Sequence, residues 1–397
     1  MNYEKLRSFS VFFSPIGKGG MGVHGRHVLR SLEMLGPTHC IVPNSKPVLN
    51  CSLSSSFFVI DPPQSIFQKI RNKVFPRPGL DVFKKCIDIG KNAALNMDSK
   101  GKFDFIYGFS GVSLEVFKCG YNSGIPRILD HPNLHPLYFR NTYLNEHAKW
   151  VGPKPFYGNP TWEMVQRVEE EMELATLIRV NSALARDSLV DNGVHPKKIK
   201  VLHQPVDKDS FFQANRKSKS PGELRICFVG SICLRKGFIY LLRAVRSMKN
   251  DKVRITFVGN TGDRDCRKIL ERESRGLTID IKPGNPRPVF CQSDLLVLPS
   301  LEDGFGLVVT EAMRAGLPVI VTRMCGSKEV VEEGISGWIV KEGDPEALAE
   351  RLNWAVDNID LLPLIGANGK RTSEQLTIQK HDDDLCRMVY EHVAGKH

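Results

Sequence analysis

Short apolar runs alternate with amphipathic stretches along the first half of the chain, a pattern typical of repeated βα units. The amphipathic stretches at 22–35, 93–97 and 161–175 space their apolar residues as a helix would. The apolar runs between them predict strands at 9–13, 39–42, 103–107, 127–129 and 177–181. We therefore expect an α/β structure built around a parallel sheet.

The same alternation starts again after a break in the pattern. Strands are predicted at Leu224–Val229, Val253–Val258, Leu295–Leu298 and 318–321. The stretch 207–223 contains the basic, breaker-rich sequence Arg-Lys-Ser-Lys-Ser-Pro-Gly, which has the composition of a linker. With 397 residues, the chain has room for two α/β domains.

The predicted organisation has two Rossmann-like domains that face each other across a cleft. The first domain spans 1–206 and is expected to bind an acceptor, and the second spans 224–376. The final segment, 377–397, is predicted to contain a helix that returns to the first domain. Ligands of such sheets bind beyond the carboxyl ends of the strands, at the cleft.

The most informative motif follows the predicted strand Leu295–Leu298. The sequence Asp-Gly-Phe-Gly at 303–306 separates this strand from a segment of helical pattern. Strand, glycine turn and helix together leave unpaired backbone N–H groups at a helix start, where they can hold a phosphate. Glu311 lies more than a turn inside the helix, where a carboxylate can accept hydrogen bonds from hydroxyls. The motif therefore suits a ligand with both phosphate and sugar hydroxyls.

This block resembles the donor-site motif of the retaining GT-B glycosyltransferases of family 4. In that family two Glu residues, eight positions apart, contact the donor sugar and the nucleotide ribose. Glu311 matches the second, whereas Asp303 stands at the first, directly after Glu302. The resemblance implies the GT-B fold over essentially the whole chain and transfer of a sugar, with retention, from a nucleotide diphosphate donor to a hydroxyl acceptor. It also places these residues at the donor: Gly304, Phe305, Gly306 and Leu307.

Two further segments are expected to meet the donor phosphates. The loop of Gly17, Gly19 and Gly22 satisfies the dinucleotide fingerprint, but 40–45 lacks the carboxylate that an NAD site requires. The resemblance instead implies that Gly19 and Gly20 allow the backbone to approach the donor phosphates. The alternative is that these glycines serve only a tight turn.

In the second domain the family carries an Arg directly after the first glycine and a Lys five residues later, both on the pyrophosphate. Lys236 matches the Lys, but Ser231 occupies the position of the Arg. Arg235 is one candidate for the missing charge, because charge develops on the departing phosphate. The alternative is that Arg235 is a solvated residue at a helix start.

Two histidines compete for a place near the donor sugar, where family members carry one. His131 follows the predicted strand at 127–129 and Asp130, and His135 lies four residues later. His24 and His27, on the first predicted helix, are interpreted as structural or solvent-facing. The resemblance implies no cofactor and no obligatory metal, since the nucleotide sugar is a substrate.

The net charge of +11 indicates an anionic partner. The expected partners are a nucleotide-sugar donor, such as a UDP- or GDP-sugar, and a carbohydrate or lipid-linked acceptor; nucleic acid is disfavoured. The basic amphipathic segment 66–75 fits either docking on an anionic membrane or packing on its own sheet. Scattered cysteines and the absence of a long apolar run predict a cytoplasmic protein, with peripheral membrane association as the option.

Two other functions stay open at this stage. A GT-B nucleotide-sugar epimerase shares the two-domain cleft. A nonenzymatic binder of nucleotide sugars or polyanions would also explain why the usual Arg and the first Glu are both replaced. Release of nucleoside diphosphate in the presence of an acceptor distinguishes a transferase from a binder.

Overall fold

A computed structural model describes residues 4–16, 19–43, 56–60, 78–153, 160–207, 223–248 and 252–395. Two parallel sheets form the core of the protein, as the sequence predicted. The segment 66–75, residue Gly17 and nearly all of the predicted linker 207–223 lie outside the described residues.

The first sheet has seven parallel strands in the order β3-β2-β1-β4-β5-β6-β7. Its strands are β1 (Ser8–Val11), β2 (Thr38–Pro43), β3 (Ser56–Ile60), β4 (Phe105–Phe109), β5 (Arg127–His131), β6 (Leu177–Val180) and β7 (Ile199–Val201). The helices of this half are α1 (Gly19–Leu35), α2 (Pro78–Ser99), α3 (Leu114–Asn122), α4 (Pro136–Trp150), α5 (Trp162–Leu174) and α6 (Ala183–Val190). The central strands β1, β4 and β5 are buried along their whole length, and β4 is a continuous apolar run.

The second sheet has six parallel strands in the order β10-β9-β8-β11-β12-β13. They are β8 (Leu224–Val229), β9 (Val253–Val258), β10 (Thr278–Lys282), β11 (Leu295–Leu298), β12 (Val319–Thr322) and β13 (Gly337–Val340). The helices of this half are α7 (Phe238–Ser247), α8 (Arg264–Glu273), α9 (Arg287–Phe290), α10 (Leu307–Arg314), α11 (Pro345–Asp357) and α12 (Leu362–Ser373). This order reverses between β8 and β11, and the candidate site lies at that point.

The last helix, α13 (Ile378–Val393), packs on α1 of the first domain. Its apolar residues Leu385 and Val389 are fully buried in the core of the first sheet. On the polar side, the Ser31 hydroxyl donates a hydrogen bond of 2.7 Å to the Asp382 carboxylate. The helix that follows the second domain therefore packs on the first.

Within the ranges given above, no helix is both long enough and apolar enough to cross a membrane.

Candidate active site

Lys236 is placed by a tight turn at the carboxyl end of β8. A 3-10 turn, Leu234–Lys236, ends at Gly237, which has a φ of 69°. A Cβ atom at Gly237 would lie 2.0 Å from the carbonyl oxygen of Pro299, so only glycine permits this approach. The turn therefore packs directly on the start of the loop that carries Asp303, and the Lys236 ammonium pairs with the Asp303 carboxylate.

The Lys236–Asp303 pair is largely withdrawn from solvent, with side-chain exposures of 13% and 11%. Burial alone would raise the pKa of Asp303, but Lys236 and Arg235 hold it below its usual value. Asp303 therefore stays ionised at neutral pH, and the ammonium is fixed next to the glycine turn of the motif.

Arg235 points into a different set of contacts. Its guanidinium donates to the carboxylate of Glu302 at 3.0 Å and to the Glu302 carbonyl oxygen at 2.7 Å. The same group lies over the ring of Phe139 in the first domain, 5.0 Å from its centroid. Since Nη1 of Arg235 donates both of these hydrogen bonds, the geometry connects Arg235 to Glu302, and its predicted role on the diphosphate stays a prediction.

The glycine turn of the motif meets the first domain. The Gly304 carbonyl accepts a hydrogen bond of 2.6 Å from the hydroxyl of Ser182. The Phe305 ring stacks on His203, with centroids 5.5 Å apart. Gly306 has a φ of 78° and precedes α10, which begins at Leu307. The first backbone N–H groups of α10 lack intrahelical acceptors by the geometry of a helix start, so they are suited to bind a phosphate.

We expect Gly304→Ala to destabilise the contact between the domains. A Cβ atom there would lie 1.8 Å from the Pro132 carbonyl oxygen and 2.8 Å from the Cα of Asn133, both backbone atoms. Overpacking of this kind costs about 1–3 kcal/mol, which would lower the urea midpoint of unfolding. The control is Gly20→Ala, because no atom lies within 4 Å of a Cβ built there. Equal midpoints for the two variants would contradict the expectation.

Glu311 lies on α10 and lines a cleft of about 340 Å³ between the domains. Burial raises its pKa to about 7, although Arg287 acts in the opposite direction. The other charged or titratable groups that line this cleft are Arg26 and His27 on α1 and Asp207. At neutral pH about half of the Glu311 carboxylates are ionised, and these can accept hydrogen bonds from ligand hydroxyls. The two arginines of the cleft, Arg26 and Arg287, can attract a phosphate group of the same ligand.

The two candidate histidines have different surroundings. His135 caps α4, where its Nδ1 accepts a hydrogen bond of 3.3 Å from the Leu137 N–H. His131 ends β5, and its Nε2 lies 3.0 Å from the Leu134 carbonyl oxygen. Burial lowers the pKa of both rings to about 4. The Nδ1 atom of His131 is buried and lacks a hydrogen-bond partner in the part of the chain that the structure describes.

Three remaining predicted residues lie on open surface. Gly19 and Gly20 are exposed at the start of α1, and no atom lies within 4 Å of a Cβ built at either position. Ser231 is exposed directly after β8. A serine at position 231 supplies no cation of its own.

Sequence reasoning missed three residues of the cleft. Arg26 and His27 lie two turns along α1 from Gly19, and Arg287 begins α9 directly after β10. His27 was interpreted as structural or solvent-facing; it is buried, and burial lowers its pKa to about 3. Arg287 could have been predicted as a site residue from its position after a strand. The strand itself was not predicted, because β10 is exposed along much of its length and forms no apolar run.

Comparisons with known proteins find similarity to glycosyltransferases. The family model "Glycosyl transferases group 1" matches residues 209–372, which hold the donor motif. A putative colanic acid biosynthesis glycosyltransferase, WcaL of Salmonella typhimurium, is 33% identical over 175 residues, or 40% of this chain and 42% of that protein. The matches to the first curated relatives span about half of their length or less.

Solved structures match over nearly the whole chain. The sucrose-phosphate synthase of Thermosynechococcus elongatus gives a TM-score of 0.73 at 15% identity, with 99% of this chain and 100% of that one covered. HepE of Anabaena, in complex with UDP and glucose, gives a TM-score of 0.66 at 14% identity, with 97% and 99% covered. These likenesses show the GT-B fold, while the match to the glycosyl transferases group 1 model covers the second half of the chain.

Proposed function

We propose that this protein is a retaining glycosyltransferase of family 4 that transfers a sugar from a nucleotide diphosphate donor to a hydroxyl acceptor. One observation carries the proposal: Lys236, Asp303 and the start of α10 lie together at the carboxyl ends of β8 and β11. Such a site offers a fixed cation and helix N–H groups to a departing diphosphate.

The roles follow from the chemistry of each group. Glu311 accepts hydrogen bonds from the two ribose hydroxyls, and Asp303 accepts one from a hydroxyl of the donor sugar. Lys236 and the Leu307 N–H stabilise the diphosphate as the anomeric C–O bond breaks. The acceptor oxygen bonds to the anomeric carbon, and its proton passes to an oxygen of the departing diphosphate. Because His135 caps a helix, the proposal assigns the reacting end of the donor to His131.

The comparisons favour particular substrates. HepE of Anabaena binds UDP and glucose, which supports a UDP-sugar as the first donor to test. The relative in colanic acid biosynthesis supports a carbohydrate or lipid-linked acceptor. Association with an anionic membrane through 66–75 and a cytoplasmic location stay proposals, and no cofactor or metal is required by the proposed roles.

A donor panel tests this function. We expect one of the UDP-, GDP- or ADP-sugars to raise the melting temperature, because a ligand at about a hundred times its Kd stabilises by roughly 2.7 kcal/mol. The same donor should then release nucleoside diphosphate when acceptor hydroxyls are supplied, and the glycosidic product should retain the anomeric configuration. An epimerised nucleotide sugar would favour the epimerase instead. Binding without turnover across an acceptor panel would favour the nonenzymatic binder.

A further inference from the structure

Glu302 is a buried carboxylate that the proposed roles do not use. It is fully withdrawn from solvent and directly precedes Asp303. One of its oxygens accepts a hydrogen bond of 3.2 Å from the backbone N–H of Leu134, which belongs to the first domain. The other oxygen pairs with Arg235 at 3.0 Å. Glu302 therefore connects the donor motif to the loop after β5.

The contact continues through the Leu134 residue to His131. The Leu134 carbonyl oxygen lies 3.0 Å from Nε2 of His131. A carbonyl oxygen can only accept a hydrogen bond, so the proton of this contact must be on Nε2. His131 is buried, and burial lowers its pKa to about 4, so the ring carries a single proton at neutral pH.

This proton assignment fixes the state of the other ring nitrogen. Nδ1 must be unprotonated and can therefore act only as an acceptor. No described residue donates to it. Buried polar atoms are normally paired, so an unpaired acceptor at the carboxyl end of a sheet strand is suited to a ligand donor such as a hydroxyl.

We propose that Glu302 is a positioning residue: by holding the backbone N–H of Leu134 across the domain boundary, it fixes the Leu134 carbonyl, keeps His131 in the Nε2–H tautomer and presents Nδ1 to a hydroxyl of the donor sugar. Only the last step, the sugar hydroxyl, rests on the proposed function. The tautomer and its dependence on Glu302 concern the protein alone.

Arg235 has a supporting part in this arrangement. Its guanidinium holds the second oxygen of Glu302 and lies over Phe139, near the start of α4 in the first domain. Arg235 thus fixes the carboxylate from the second domain while its face packs on the first. This accounts for the Arg235 contacts without a role on the diphosphate.

The first measurement is the tautomer of His131, read from long-range ¹H–¹⁵N spectra of histidine-labelled protein and assigned with His131→Gln. The test variant is the double substitution Glu302→Leu with Arg235→Met, because replacing both members of a buried ion pair by apolar residues is often tolerated. We expect the wild type to show a protonated Nε2 and an unprotonated Nδ1. The double variant should show a mixture of the two neutral tautomers. Glu302→Gln keeps an acceptor for Leu134 and should keep the wild-type tautomer.

The matched control is Glu329→Leu. Glu329 is another carboxylate of the second domain that accepts hydrogen bonds from the first, at 3.1 Å from the Ala183 N–H and 3.0 Å from the Leu184 N–H. It connects the domains without a contact to the Leu134 peptide. We expect Glu329→Leu to keep the wild-type tautomer of His131.

The second measurement is steady-state turnover with the donor found in the panel. The double variant should lose about 10- to 100-fold in kcat with KM nearly unchanged, because small misplacements of a catalytic group reduce the rate by such factors. Glu302→Gln and Glu329→Leu should stay within about threefold of the wild type.

An unchanged tautomer in a folded double variant would overturn the proposal, whatever the enzyme activity. Equal losses of kcat in the double variant and in Glu329→Leu would also overturn it, since Glu302 would then only join the domains. If no donor supports turnover in the wild type, the proposed function fails, and the spectra alone decide on the positioning role.

Discussion

Lys236→Ala is expected to lower kcat by about 100- to 1000-fold while KM for the donor changes much less. The reason is that charge develops on the diphosphate as the anomeric bond breaks, and a fixed cation in a water-poor site stabilises this charge far more than the intact donor. The Lys236 ammonium is held by the Asp303 carboxylate, which precedes the start of α10 at Leu307 by four residues. Steady-state kinetics with varied donor would measure the effect.

Two controls separate this effect from a loss of structure. Lys236→Ala leaves the largely buried Asp303 without its paired cation, and this can lower the free energy of unfolding by up to about 3–5 kcal/mol. Unfolding curves must therefore show that the variant is folded under the assay conditions. The second control is Lys149→Ala, which removes another cation between the domains. Lys149 donates a hydrogen bond of 2.9 Å to the Tyr240 hydroxyl and does not belong to the donor motif. This substitution should leave kcat unchanged. A folded Lys236→Ala variant with normal kcat would remove the lysine from the chemistry.

The fold was predictable because its strands are buried on both faces. The runs at β8, β9 and β11 were predicted with their observed bounds, since parallel strands under two helix layers are almost entirely apolar. Strands β3 and β10 were missed because their residues include exposed positions and lack a clear period. The helix α4 was missed for a similar reason: its apolar residues do not form a single stripe.

The candidate site could be predicted only within short local segments of the sequence. Asp303, Lys236 and Glu311 belong to short segments whose spacing fixes their place after a strand, so they could be located from the sequence. The contact between Glu302 and Leu134 joins residues 168 positions apart, and nothing in local sequence reports such a contact. The same holds for Arg26 and His27, which reach the cleft because the first domain packs against the second.

Ser231 stands where the family carries an arginine, and the structure shows why local sequence could not identify a replacement for that positive charge. Arg235 was the obvious local substitute for the missing arginine, because it is adjacent to Lys236 in sequence. In the structure its guanidinium contacts Glu302 instead, whereas Arg287 and Arg26 line the same cleft as Glu311 from distant parts of the chain. Tertiary packing therefore provides a second source of positive charge that no spacing rule could have identified.

Glu311→Ala is expected to weaken donor binding by about 10- to 100-fold, because two ribose hydroxyls lose a charged acceptor that is worth on the order of 1.5–3 kcal/mol. The wild-type affinity should also depend on pH. Burial raises the pKa of Glu311 to about 7, so the carboxylate is mostly protonated at pH 6 and mostly ionised at pH 8. If the ionised form binds the ribose, donor affinity rises with pH over this interval, by up to about tenfold.

Glu311→Gln provides the control for the pH effect, since it keeps the shape of the side chain but does not titrate. Its donor affinity, measured by calorimetry, should be low and independent of pH between 6 and 8. His27, which lines the same cleft, cannot produce the wild-type slope, because its pKa of about 3 keeps it neutral throughout this range. Arg287→Ala should move the midpoint to higher pH, because Arg287 favours the ionised carboxylate. If Glu311→Gln keeps the wild-type slope, the titrating group is not Glu311, and its role on the ribose is wrong.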